Sequence, residues 1–300
     1  RLVGSEMCIR DRIMRAVGDS KRPLLYLVVC CVLNIGLDIF MVVILKMGIA
    51  GAALATVFSQ CVSAFLVTWS LTKDYDSMKL QFRELRMEAC VLKRELKIGI
   101  PGALQACAYG VTNVVIQASI NSFGTDTAAG WAAYGKLDLI FWTVSSALGA
   151  AVTTFVGQNL GARQYDRVLK GAKFGMICSM TLAEIIGVII FVFGSQFIAA
   201  FDATPEVIRF GTLRGQTSAF FFCLLAYSHC VSAILRGAGK SMVPMIVMMV
   251  CWCFVRVAGL TVMGMLVHNI WCVYWIYPIT WSLSSITFFM YYHRIDWLHA

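Results

Sequence analysis

Apolar residues occur in long unbroken blocks, separated by short polar stretches, over approximately 24–45, 49–71, 98–121, 131–157, 172–198, 210–235, 242–266 and 270–292. Each block is near the ~20 residues that a helix needs to cross a bilayer. The pattern therefore predicts an all-α polytopic membrane protein with about eight transmembrane helices. Between the blocks, Lys and Arg load alternate loops: Lys21 and Arg22, the stretch from Lys73 to Lys97, Arg163 to Lys173, Arg236 and Lys240, and finally Arg294. The intervening loops offer only Lys46 and Arg209. Basic residues stay on the cytoplasmic side, so residues 13–23, the 72–97 loop and the C-terminus are expected there, in a bacterial inner membrane.

Composition sharpens this picture. Hydrophobic residues make up 59% of the chain and charged ones 14%, against about 45–50% and about 25% in soluble domains. The net charge of +9 is the loop bias just described, which argues against a nucleic-acid partner. Most of the twelve cysteines lie inside apolar blocks without CxxC spacing, as reduced packing residues do. Cys251 and Cys253 stand about 200° apart on a helix and cannot jointly face one metal. No phosphate loop or catalytic Ser/His/Asp order occurs. Gly237-Ala238-Gly239-Lys240-Ser241 has the ending of a phosphate loop but lacks its earlier glycine. The protein is not expected to be an enzyme or to need a cofactor.

Within the basic 72–97 loop, Leu85, Ala89, Leu92 and Leu96 share a helical face among mixed charges, which predicts a helix on the membrane surface linking two bundles. An internal repeat supports two bundles. Ile13, Arg15, Gly18, Ser20 and Pro23 recur as Ile234, Arg236, Gly239, Ser241 and Pro244, an offset of 221 residues. Parallel repeats related by an axis along the membrane normal are a transporter architecture. The organisation expected is a leader over 1–12, a two-helix remnant of a first lobe over 13–71, the 72–97 linker, a six-helix second lobe over 98–292 and a tail over 293–300. The counterpart of the second lobe's start falls ahead of residue 1, which implies about four missing helices. Residues 1–12 fit neither a signal peptide nor a span and are similar to translated sequencing-adaptor sequence.

The strings RAVGDSKRP, NIGLD, GIAGAALAT, IGIPGALQ, INSFGT, FVGQNLGA and ILRGAGKSMVP, in this order and placement, resemble the multidrug and toxic compound extrusion (MATE) family from about residue 13 to 292. The resemblance implies a two-lobed exporter that exchanges Na⁺ or H⁺ for organic cationic or amphipathic compounds. It also implies a cation site on Asn34, Asp38 and Thr56. Independently, Asn34 and Asp38 share one helix face at i, i+4. A carboxylate inside a span costs about 2.5–3.5 kcal/mol even on insertion scales, so such acids usually face a cavity and bind an ion. In another branch of the family the second lobe carries acids where this chain has Tyr109 and Leu225, which favours the first lobe here.

Other intramembrane polar residues are candidates to line a path: the stripe Gln105, Tyr109, Asn113 and Gln117, a Lys136–Asp138 pair, and the charges Glu184 and Arg256. Interhelical hydrogen bonding is the alternative reading for each. Trp271, Tyr274, Trp275, Tyr277 and Trp281 read as an interfacial anchor, with Pro278 as a kink point. The protein is expected to act as a monomer on small organic cations in contact with membrane lipid. Two other functions stay open: a flippase for lipid-linked sugars, which calls for a more cationic cavity, and a membrane-embedded enzyme.

Overall fold

The computed structural model describes residues 21–73, 88–267 and 269–295. The leader, the first copy of the repeated string up to residue 20, most of the linker and the end of the tail lie outside these residues. Among the described residues every regular element is helical. Two compact units divide in sequence between Glu88 and Ala89.

The first unit holds α1 (Lys21–Asp38), which continues as a π-helical segment over Ile39–Ile44, and α2 (Gly48–Lys73). They pack as a pair, and the Cys30 thiol of α1 donates to the Ser59 carbonyl of α2 at 2.9 Å. The second unit holds α3 (Ala89–Asn121), α4 (Thr125–Gly161), α5 (Tyr165–Ala199), α6 (Pro205–Ala219), α7 (Phe222–Gly237), α8 (Met242–Met248), a π-helical segment over Met249–Phe254, α9 (Val255–Leu266) and α10 (Ile270–Arg294).

Two features differ from the expected boundaries. α3 starts at Ala89, so the last part of the expected linker is the first turns of a span; Ala89, Leu92, Lys93, Glu95, Leu96 and Lys97 are strong helix formers with no break among them. The block expected over 210–235 is two helices bent by 60° between Ala219 and Phe222. By length and hydropathy five helices among the described residues can cross a membrane, with the bent pair as a sixth. α3 and α10 are as long but less apolar by hydropathy: one carries the Gln105 to Gln117 stripe, the other seven Trp and Tyr residues from Trp271 to Tyr292 besides its Ser and Thr residues.

Packing follows membrane logic. On α5 the buried face is built largely from Ala172, Gly175, Ser179, Ala183, Gly187 and Gly194, while Phe174, Ile177, Ile185, Val188, Val192 and Phe193 point outward. Lipid is as apolar as Leu, so burying large side chains gains little, and small residues are kept where backbones must approach. Gly130 on α4 is the tightest case that matters to the site. A Cβ there would lie 2.8 Å from the Val207 carbonyl oxygen and 3.0 Å from the Gly211 nitrogen, so α4 and α6 touch backbone to backbone.

The turns are locally satisfied. The Gly237-to-Ser241 string is a helix end: Gly239 takes a left-handed φ of 79°, and the Lys240 N–H donates to the Leu235 carbonyl at 2.9 Å. Ahead of α6, the Thr204 N–H donates to Asp202 Oδ1 at 2.9 Å and holds that carboxyl below the usual carboxylate range.

Candidate ion and transport sites

In the first unit Asp38 is the last residue of α1 before its backbone switches to π geometry. Asn34 lies one turn earlier, and both side chains are half-buried. Asn34 Nδ2 and Asp38 Oδ1 are shielded from solvent and have no hydrogen-bond partner among the described residues. A buried polar atom left without a partner is rare and calls for an explanation such as a bound ion. Thr56 on α2 is exposed, and its hydroxyl donates to the Ala52 carbonyl at 2.9 Å rather than to Asn34 or Asp38. The hydroxyl oxygen keeps a lone pair, but the structure does not join it to the pair.

The second unit has a polar and aromatic interior. Gln105 and Tyr109 belong to it: Gln105 Nε2 donates to the Tyr109 oxygen at 2.8 Å and to Met248 Sδ at 3.0 Å, and Tyr109 stacks on Trp252 at 5.8 Å. Asn113 and Gln117 do not, since both are exposed and Gln117 bonds along its own helix to Asn121. A four-residue step drifts about 40° per repeat around a helix, so the stripe leaves the packed face halfway along. Leu225 is fully buried in the apolar core.

The Lys136–Asp138 pair does not form. Residues two apart on a helix point in nearly opposite directions, and Lys136 lies over the Phe201 ring at 4.5 Å while Asp138 Oδ2 accepts from Trp142 Nε1 at 2.9 Å. Among the described residues Glu184 makes no ion pair either; its Oε2 is buried without a partner there, beside Gly187, Val188 and Phe220. Arg256 is buried, donates through Nε and Nη2 to Thr280 Oγ1 at 3.3 and 2.8 Å, and stacks on Tyr277 at 4.2 Å.

The expected aromatic anchor is only partly one. Trp271 and Trp275 are 44% and 46% exposed, but Tyr274 and Trp281 are 1% and 4% exposed, so they face the lobe's interior. Tyr274 donates to the Phe210 carbonyl at 3.2 Å, and Tyr277 lies within stacking distance of both Arg214 and Arg256. Arg214 is the chief residue absent from the expected set, although it carries the same sequence signal as Glu184 and Arg256, a charge inside an apolar block. His229 is a second such residue: its ring packs against Trp142 at 4.9 Å and Trp252 at 5.2 Å, and Nε2 has no partner among the described residues.

Residues 101–261 match the MatE family. The chain belongs to the MatE family. Members with similar sequence include a probable multidrug resistance protein of Bacillus subtilis, YpnP, 32% identical over 81% of this chain and 54% of that protein. A probable multidrug resistance protein of Thermotoga maritima, NorM, is 27% identical over 81% of this chain and 53% of that one. This MatE chain thus spans about half the length of the curated relatives it matches. Its fold matches a MOP superfamily transporter from Pyrococcus furiosus with a TM-score of 0.89 at 19% identity, over 96% of this chain and 65% of that one. The family is one of multi-pass membrane transporters; the two sequence relatives are named as probable multidrug resistance proteins.

Proposed function

We propose that this MatE segment belongs to a secondary active exporter of the bacterial inner membrane, in which Na⁺ or H⁺ moving inward drives amphipathic organic compounds, organic cations among them, outward. The observation that carries the reading is Asp38 Oδ1, a shielded carboxylate oxygen without a partner among the described residues, with Asn34 one turn earlier on the same helix. The donor set fits either ion. A carboxylate and an amide oxygen are hard ligands of the kind that bind Na⁺, and the carboxylate alone suffices for H⁺. Asp38 carries the ion, Asn34 orients it from the preceding turn, and Thr56 supplies a further oxygen if α2 turns toward α1. Relatives named as multidrug resistance proteins support the substrate class.

The reading is tested with a full-length protein carrying this segment in liposomes loaded with a fluorescent cationic dye. An imposed Na⁺ or pH gradient should drive the dye against its own gradient, and collapsing the ion gradient with an ionophore should leave only passive equilibration. Dye movement indifferent to both gradients would end the proposal. The reading also puts the C-terminus in the cytoplasm, as the alternation of basic loops suggests. A phosphatase reporter fused after residue 300 should be inactive and a green fluorescent protein there bright; the reverse result would invert the topology.

A further inference from the structure

Arg214 and Arg256 are 3% and 6% exposed. Arg214 packs over Trp131 at 4.5 Å and Tyr277 at 3.9 Å, and Arg256 over the same Tyr277 at 4.2 Å. One ring is therefore shared by two buried guanidiniums, and each arginine lies within electrostatic reach of the other. Like charges in a low-dielectric interior repel strongly, and removing each from water costs several kcal/mol.

Compensation is thin. No carboxylate comes within 4.0 Å of either guanidinium among the described residues. Asp138 is in electrostatic reach of Arg214, but its Oδ2 is taken by Trp142. Each guanidinium has five N–H donors. Arg214 directs one, from Nη1, to Ser218 Oγ at 2.7 Å, and its Nε is buried without a partner. Both hydrogen bonds of Arg256 go to a single oxygen, that of Thr280. The lobe thus holds two guanidinium groups near a single carboxyl group, with most of their donors unanswered.

Position suits a ligand. Arg214 lies nine residues into α6, and Arg256 ten residues from the end of α9. At 1.5 Å per residue both sit roughly 14–15 Å from the helix ends, half the ~30 Å hydrocarbon thickness. Transporters bind their substrates at such midplane depths.

We propose that the Arg214–Arg256 pair is a seat for the carboxylate or phosphate group of an amphipathic organic anion. Planar guanidiniums bind these groups bidentately, and an incoming anion supplies the acceptors and the negative charge that the lobe lacks. The surrounding Trp131, Tyr134, Trp252 and Tyr277 fix the two forks and offer apolar surface to the rest of the molecule. The inference rests on the exporter reading in one respect only, that this interior lies on the transport path.

The test is equilibrium binding without any gradient, so its outcome does not depend on ion coupling. The protein in nanodiscs of neutral phosphatidylcholine is titrated with carboxyfluorescein and, separately, with the cationic dye rhodamine 6G. Carboxyfluorescein should bind. Arg214→Gln and Arg256→Gln should each weaken it at least tenfold, the Lys variants less, and rhodamine binding should not fall in any of them. Inorganic phosphate should compete in the wild type. Displacement by phosphatidylglycerol added to the discs assigns the seat to a lipid headgroup, and displacement by soluble anions alone assigns it to a water-soluble substrate. If the Gln variants do not fold, thermal protection replaces titration: carboxyfluorescein should protect the wild type more than the Lys variants. Equal affinity in folded wild-type and double-Gln protein, or no binding of carboxyfluorescein, phosphate or phosphatidylglycerol, would overturn the proposal and leave the arginines as packing elements.

Discussion

Asp38→Asn should insert and accumulate at least as well as the unchanged protein, yet lose gradient-driven efflux down to the passive leak. The two halves of this expectation have one cause. An ionised carboxylate in a span costs about 2.5–3.5 kcal/mol on insertion scales, and asparagine removes that cost while keeping the size and hydrogen-bonding capacity of the side chain. The same change removes the group whose charge must be neutralised by an ion in one state and released in another. A ligand that binds two states equally shifts neither, so without a titratable or ion-binding carboxylate the gradient has no hold on the conformational equilibrium. Asn34→Ala, which removes a neutral oxygen, should raise the ion concentration needed for half-maximal efflux while leaving uphill transport possible. Dye efflux from proteoliposomes of matched protein content measures both. Wild-type uphill pumping by correctly inserted Asp38→Asn protein would move the search to Asp138 and Glu184.

The second large effect is on stability. Tyr277 is partly buried, so Tyr277→Ala should destabilise the second lobe by about 3 kcal/mol, the low end of the range for deleting a buried aromatic ring, the loss including that of the ring both guanidiniums share. Desolvated cation–π contacts contribute about 2 kcal/mol or more each. Tyr277→Phe keeps the ring between Arg214 and Arg256 and should stay within about 1 kcal/mol of the parent. Thermal unfolding in detergent, followed by tryptophan fluorescence, separates them. Equal melting temperatures for the Ala and Phe variants would mean that the ring is not what holds the two cations in place.

What could be read in the sequence was whatever has a cost independent of direction. Long apolar blocks, and acids such as Asp38 within them, signal themselves because a membrane penalises the exceptions wherever they point. Direction is what the chain alone withholds. Tyr274, Tyr277 and Trp281 have the composition of an interfacial belt, and only the packing of α10 against α4 and α6 turns them inward. Arg214 escaped notice for a related reason: Thr212, Gln216 and Thr217 surround it, so the beginning of the block did not look apolar enough for a charge to stand out. The break after Ala219 carries neither glycine nor proline and lies within a run of three phenylalanines, so no local signal marks it. The drift of the Gln105 stripe and the opposed directions of Lys136 and Asp138 were calculable from helix geometry. What was missing was the knowledge of which face of the helix the lobe would use.

The π-helical segment that follows Asp38 has a mechanical meaning. Its hydrogen-bonded rings span one residue more than those of an α-helix, as in the Leu45 N–H donation to the Phe40 carbonyl at 3.0 Å. A helix with such a surplus can hand it one position along the chain, exchanging hydrogen bonds instead of losing them, and each step turns the residues it passes by roughly 100°. Asp38 directly precedes this segment, so a surplus handed one position back would turn the carboxyl group to face new surroundings without opening the helix.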